Sequence, residues 1–148
     1  MKKTSDVLIS IQKMNKFYDL CLDDVRIKYN LSKIELQIIS FLHNNPGQDT
    51  VAQIASMRML SKGNVSRGVD LLIQKELIEK RIDDDDHRWV HLTLTSKTKF
   101  ITQDIDLGMS SFFNQVFQGF SQEDFEMYDS LYERMNRNVT EGLCKEEK

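Results

Sequence analysis

Residues 61–95 read SKGNVSRGVDLLIQKELIEKRIDDDDHRWVHLTLT, and the stretch changes period in its middle. Val65, Val69, Leu72 and Ile73 recur at helical spacing. Ser61 stands before them, a residue type that starts helices by accepting a hydrogen bond from a free first-turn N–H. From Trp89 onward the pattern alternates. Val90, Leu92 and Leu94 share one side and Trp89, His91 and Thr93 the other, which predicts a strand. Ile78 and Ile82 share a parity in the preceding piece. The run Asp83–Asp86 therefore falls between two alternating segments and is most simply a hairpin loop.

Working outward, TVAQIASMRML (50–60) places Val51, Ile54, Ala55 and Met59 on one helical side, with a tight connection around Arg58–Leu60. Two short helices followed by a hairpin make a winged helix-turn-helix. NLSKIELQIISFLHNNPG (30–47) predicts a helix with Ser32 and Glu35 as a capping box, stopped by Asn44–Gly47. Before it, Val7, Ile11, Met14, Tyr18, Cys21 and Val25 step by four and three residues in turn, a coiled-coil type of seam. After the hairpin, Thr95 or Ser96 can cap a helix running to about Gly119. Ser121 can cap a last one bearing Phe125, Tyr128, Leu131, Tyr132, Met135 and Val139 at helical spacing. The expected fold is mainly α with a small β-hairpin wing. Residues 31–99 are expected to form the winged helix-turn-helix domain, and residues 1–30 and 100–148 a helical dimerisation region. A chain of 148 residues has few places to bury so many seams, so a homodimer is the economical arrangement.

The net charge of −3 argues at first against nucleic acid, but its distribution does not. Residues 51–100 carry nine Lys and Arg against seven acids, four of which are the Asp run, whereas residues 101–148 carry four against ten. Phosphate responds to local charge. No stretch approaches the roughly 20 apolar residues of a membrane span, and the N-terminus MKKTSD does not lead into a signal-peptide core. The two cysteines, Cys21 and Cys144, make neither a disulfide framework nor a zinc cluster. The expectation is a cytoplasmic protein without membrane partners or cofactor.

Three answers are open for the Asp run: a metal loop, a solvated turn, or a charged clamp with the flanking Arg81 and Arg88. The calcium loop fails on spacing. If Asp83, Asp85 and His87 take its first three ligand positions, the glycine position is Arg88 and the bidentate glutamate position is Leu94. The histidines His43, His87 and His91 supply no metal cage, so no metal site is expected. Aspartate is at home in a solvated turn, which accounts for most of the four.

The core of the chain resembles the MarR family of bacterial regulators. SKGNVSRGVDLL is similar to the family's recognition-helix pattern, with Val65-Ser66-Arg67 where Val-Thr-Arg is usual. KELIEKR resembles the segment leading into the wing, and Asp86, Arg88, Leu94 and Thr95 meet its wing signature. The helical order on both sides also fits. Two positions depart from the pattern: Thr98 and Glu76 stand where glycine is common. The resemblance implies a DNA-binding transcriptional regulator, a repressor, acting as a homodimer on a pseudo-palindromic operator in double-stranded DNA. Ser61, Lys62, Asn64, Ser66 and Arg67 have the short polar and basic side chains that reach base edges and phosphates from the start of a recognition helix. The resemblance also implies that Arg88 enters the minor groove from the wing tip, where narrow grooves favour arginine, and that Asp86 holds it by a bidentate pair. A small-molecule effector is implied between the dimer helices and the winged helix, with Tyr18, Met109 and Phe112 as candidate lining. Some relatives use a first-helix cysteine as a peroxide sensor, but Cys21 stands beside the acids Asp23 and Asp24 and reads as structural. The chain carries no catalytic constellation and reads as a non-enzyme. The alternative is a winged-helix dimer used for protein–protein contacts without DNA.

Overall fold

The computed structural model describes residues 4–146. In chain order these form α1 (Thr4–Lys28), α2 (Lys33–Asn44), α3 (Val51–Arg58), α4 (Lys62–Gln74), β1 (Ile78–Ile82), β2 (Val90–Leu94), a 3₁₀ turn (Ser96–Thr98), α5 (Lys99–Val116) and α6 (Gln122–Glu146). The fold is thus mainly helical with one antiparallel hairpin, in which Ile78 pairs with Leu94 and Ile82 with Val90. The chain divides into two compact units, one running to Phe112 and one starting at Phe113.

The first unit holds the core. Ile38 and Ile39 of α2, Ile54 of α3, Val65, Val69 and Leu72 of α4, and Ile105 of α5 are all fully buried. Helix α2 packs on α4 and β2, and α3 packs on α4. Gly68 lets α4 and α2 approach closely, since a Cβ there would lie 2.7 Å from Ile38 Cδ1. Gly108 does the same for α5 against α1, where a Cβ would meet the Cys21 carbonyl oxygen at 2.8 Å. Side chains tie these helices further. The Asp104 carboxylate of α5 accepts from Lys28 Nζ at 2.7 Å and Tyr29 Oη at 2.8 Å.

Local chemistry sets the helix starts. Ser32 and Glu35 form the expected capping box, and Ser61 Oγ accepts from Asn64 N–H. Ser121 Oγ accepts from Asp124 N–H while the Asp124 carboxylate accepts from Ser121 N–H. Thr50 and Gln53 form a further capping box on α3, which follows the same threonine-to-glutamine spacing. The helix ends show a shared device. Asn30, Met59 and Glu76 all adopt positive φ (50°, 53° and 58°). The next residue in each case, Leu31, Leu60 or Leu77, donates its N–H five residues back, to Arg26, Ala55 or Leu72. This is the left-handed stop usually made by glycine.

Several sequence expectations need revision. Met59 does not continue the inner side of α3. Its left-handed backbone turns the side chain out to 85% exposure. The helix after the wing begins at Lys99, preceded by the 3₁₀ turn, and Thr95 makes no side-chain cap. It ends at Val116 rather than near Gly119 because Gly119, at φ 87°, belongs to the turn into α6. The α1 seam is covered only toward its C-terminal end: Leu22 and Val25 are buried, whereas Val7, Ile11 and Met14 are exposed. In the second unit Phe113, Phe117, Phe120, Phe125 and Tyr128 form an aromatic cluster with ring centroids 4.6–5.9 Å apart.

Candidate nucleic-acid interface

Helix α4 divides cleanly. Val65, Gly68, Val69 and Leu72 face inward, while Ser61, Lys62, Gly63, Asn64, Ser66 and Arg67 are exposed along its first two turns. That division follows from the periodicity, because one stripe of a helix faces the core and the rest must stay outside. Arg67 Nη2 donates to Asn64 Oδ1 one turn earlier, so the two side chains form a pre-organised pair. Among the described residues neither Lys62 nor Arg67 has a carboxylate partner, and no acid lies in the first turn of α4. The far end of the helix is anchored. Lys75 Nζ lies 2.8 Å from the Asn30 carbonyl and 2.8 Å from Glu35 Oε1. Burial pushes the Glu35 carboxyl up, but its hydrogen bonds to Lys75 and Ser32 outweigh that and leave it below its ordinary range.

In the wing, Arg88 and Asp86 form a bidentate pair. Arg88 Nε donates to Asp86 Oδ1 at 2.9 Å and Nη2 to Oδ2 at 2.8 Å, while the Arg88 N–H also reaches Oδ1 at 3.1 Å. The guanidinium side chain is 87% exposed even so. The Arg88 hydrogen bonds hold the Asp86 carboxyl below its usual range. Arg81 comes only within 3.9 Å of Asp84, with both groups well exposed, so it clamps nothing firmly.

The remaining aspartates are not alike, which corrects the reading of them as a uniform solvated tip. Asp84 and Asp85 are exposed. Asp83 organises the turn: its Oδ1 accepts from the N–H groups of Asp85 at 2.8 Å and Asp86 at 2.9 Å. Its other oxygen lies 3.0 Å from His91 Nε2. His91 Nδ1 in turn lies 2.7 Å from Asp49 Oδ1, in the connection before α3. The Asp49 carbonyl accepts from Leu92 N–H at 2.8 Å, so backbone and side chain together tie the wing to the helix-turn-helix. Hydrogen bonds to Asp49 and Asp83 raise the His91 pKa above its ordinary 6.5, and the turn N–H groups, with His91, lower that of Asp83. Sequence reasoning missed His91 and Asp49 as wing-positioning groups. Alternation put His91 on the outer face of its strand, and no pattern links it to a residue 42 positions away.

The three suggested effector residues are neighbours in part. The Tyr18 and Phe112 rings meet edge to face at 5.4 Å, and Met109 packs against the core with its sulfur 3.5 Å from Asn44 Nδ2. A small cavity of about 60 Å³ opens beside Tyr18, but its other walls are α1, α2 and Arg58, without Met109 or Phe112. Ser40 lines it with a buried hydroxyl that has no hydrogen-bond partner among the described residues. Cys21 is half-buried and Cys144 exposed. Among the described residues no helix is long and apolar enough to cross a membrane.

Comparison with known proteins agrees with this geometry. Residues 29–88 match the model of the MarR family. The HTH-type transcriptional regulator MhqR of Bacillus subtilis is 25% identical over 112 residues, covering 76% of this chain and 77% of the relative. Among solved structures, a MarR protein from Peptoclostridium difficile superposes with a TM-score of 0.79 at 22% identity, over 98% of this chain and 95% of the other. Staphylococcus aureus MarR in complex with salicylate and kanamycin gives 0.73 at 17%, over 93% of each chain.

Proposed function

We propose that this chain, whose residues 29–88 match the MarR family model, is a transcriptional regulator of that family that binds a specific DNA operator as a homodimer and represses transcription from it. The observation that carries this reading is the outer face of α4. Lys62, Asn64, Ser66 and Arg67 stand exposed at the helix start, and the two cations have no carboxylate partner among the described residues. Such a face offers donors to base edges in a major groove, and the exposed Arg88 offers one to the adjacent minor groove. Residues 31–99 serve as the DNA-binding domain, and residues 1–30 and 100–148 as the dimerisation region. A two-fold dimer reads a pseudo-palindromic site. The bare apolar residues Val7, Ile11, Met14, Leu131 and Met135 support the dimer, since exposed seams of this kind need cover. The working compartment is the cytoplasm, where the DNA of a bacterial regulator lies.

Control by a small effector belongs to the same reading. The cavity beside Tyr18 and the unpartnered Ser40 hydroxyl support a site on that side of α1, with Phe112 in ring contact with Tyr18. The effector acts by binding one operator-spacing state of the dimer more tightly than the other.

The test is operator selection from random duplex DNA, followed by titration of the selected duplex at several salt concentrations. A specific binder gives a linear fall of log K with log salt, at a slope of about −0.9 per neutralised phosphate. No enriched sequence and a flat salt dependence overturn the proposal in favour of protein–protein contacts.

A further inference from the structure

We propose that His91, as its imidazolium, is the residue that positions the wing on the helix-turn-helix, and that losing its proton loosens the wing and weakens DNA binding. The part concerning DNA rests on the function proposed above; the positioning itself does not.

The geometry supplies the argument. A neutral imidazole has one N–H and one bare nitrogen, so it can donate to one carboxylate only. His91 has a carboxylate oxygen at each nitrogen, Asp49 at 2.7 Å and Asp83 at 3.0 Å. Both contacts are hydrogen bonds only when both nitrogens carry protons. Deprotonation sets one bare nitrogen against a carboxylate oxygen, and that contact turns repulsive. Which of the two breaks depends on the tautomer, but either one opens the link between the turn and the body.

The link reaches Arg88 through the turn. Asp83 shares its carboxylate between His91 and the N–H groups of Asp85 and Asp86. Asp86 in turn holds Arg88. Trp89 closes the loop, donating its N–H to the Asp86 carbonyl and accepting from Asp83 N–H, each at 2.9 Å. A wing held on the body presents Arg88 with less conformational freedom to lose on binding.

The other charges facing His91 are few. Arg81 is its direct cross-strand partner on β1 and opposes the added positive charge, but it is exposed. Glu79, diagonal on β1, and Asp86, beside Asp83, favour that charge. Asp49 is the charged group contributed by the connection before α3. The sign follows. The His91 pKa is raised in the folded protein, so the stabilisation is full below about 6.5 and is lost as pH rises through the folded value.

The full chain is titrated from pH 5.5 to 9 by ¹⁵N-detected imidazole NMR. Fluorescence of Trp89, the single tryptophan, reports the turn. The His91 ring is expected to titrate above 6.5 with both nitrogens protonated below the transition, and Trp89 emission to follow it. His91→Gln removes the Trp89 transition, and Asp49→Asn moves it to lower pH; the second variant serves if the first fails to fold. Affinity for the selected operator at fixed salt falls roughly three- to tenfold from pH 6 to pH 9 in the parent and stays low and flat in His91→Gln. A His91 ring that titrates at or below 6.5, or a Trp89 transition that survives in His91→Gln, overturns the positioning role. An intact ring and Trp89 transition in a protein that binds no DNA leaves the positioning role standing and removes the proposed function instead.

Discussion

Helices α4 and α6 are both amphipathic, and they end in opposite situations. In α4 the apolar stripe is covered by the same chain: Val65, Val69 and Leu72 have no exposure at all. In α6 none of the described residues is buried, and Tyr128, Leu131, Tyr132, Met135 and Val139 are 37–55% exposed. The periodicity is the same, so it does not decide burial. Helix α4 has α2, α3 and the hairpin to lie on, whereas the stripe of α6 is exposed beyond the aromatic contacts of Phe125 and Tyr128. A helix in the first situation contributes to folding; the exposed stripe of the second is what the proposed dimer would cover.

The sharpest way to break this comparison is truncation on both helices. Leu72→Ala leaves a core cavity and is expected to cost about 2–5 kcal/mol, read by urea denaturation at any protein concentration. Leu131→Ala is expected to change the stability of a dilute monomer by less than about 0.5 kcal/mol while weakening the proposed dimer in sedimentation equilibrium. A Leu131→Ala dimer as tight as the parent's removes α6 from the interface.

Close helix packing comes next. Gly108→Ala forces a Cβ against the Cys21 carbonyl, which cannot step aside without moving α1. A loss of about 1–3 kcal/mol is expected. Gly68→Ala meets the far end of the flexible Ile38 side chain instead and is expected to cost less. The reverse order in thermal melts contradicts the packing.

On the outward side of α4, Arg67→Ala is expected to weaken operator binding by about 1–3 kcal/mol, measured by anisotropy at fixed salt. Arg88→Ala loses far more affinity than Asp84→Ala, because Arg88 is held by Asp86 whereas Asp84 belongs to the exposed tip. Equal losses refute the clamp.

The smallest effect concerns the helix end. Glu76 holds a left-handed backbone that costs a non-glycine residue about 1–2 kcal/mol, and its ion pair with Lys97 is exposed. Glu76→Gly is therefore expected to raise stability by about 0.5–1 kcal/mol, seen as a higher Tm. A lower Tm shows that the pair with Lys97 outweighs the strain.

Much of the fold was legible because it rests on local rules. Ser32, Ser61 and Ser121 announce helix starts through the hydrogen-bonding reach of a short hydroxyl. The change of period at Trp89 announces the second strand. Met59 was misread because a left-handed stop at a methionine carries no compositional signal; the same stop at glycine would have been plain. The candidate interface was legible on α4, where exposure follows directly from periodicity, and only half legible on the wing. The wing pattern singled out Asp86 as the partner of Arg88, but four identical residues in a row gave no hint that Asp83 also has partners while Asp84 and Asp85 face solvent.

The sequence by itself determined where the chain bends, which stripe of each helix is apolar, and where the cations of α4 emerge, because spacing and capping act over three or four residues. Tertiary structure alone decided which stripes the chain covers, how Lys75 meets the buried Glu35, and how His91 comes to lie between Asp49 and Asp83. Those contacts join residues up to 42 positions apart. Charges at such separations interact only once the apolar core has brought their backbones within a few ångström, and no local pattern records that encounter.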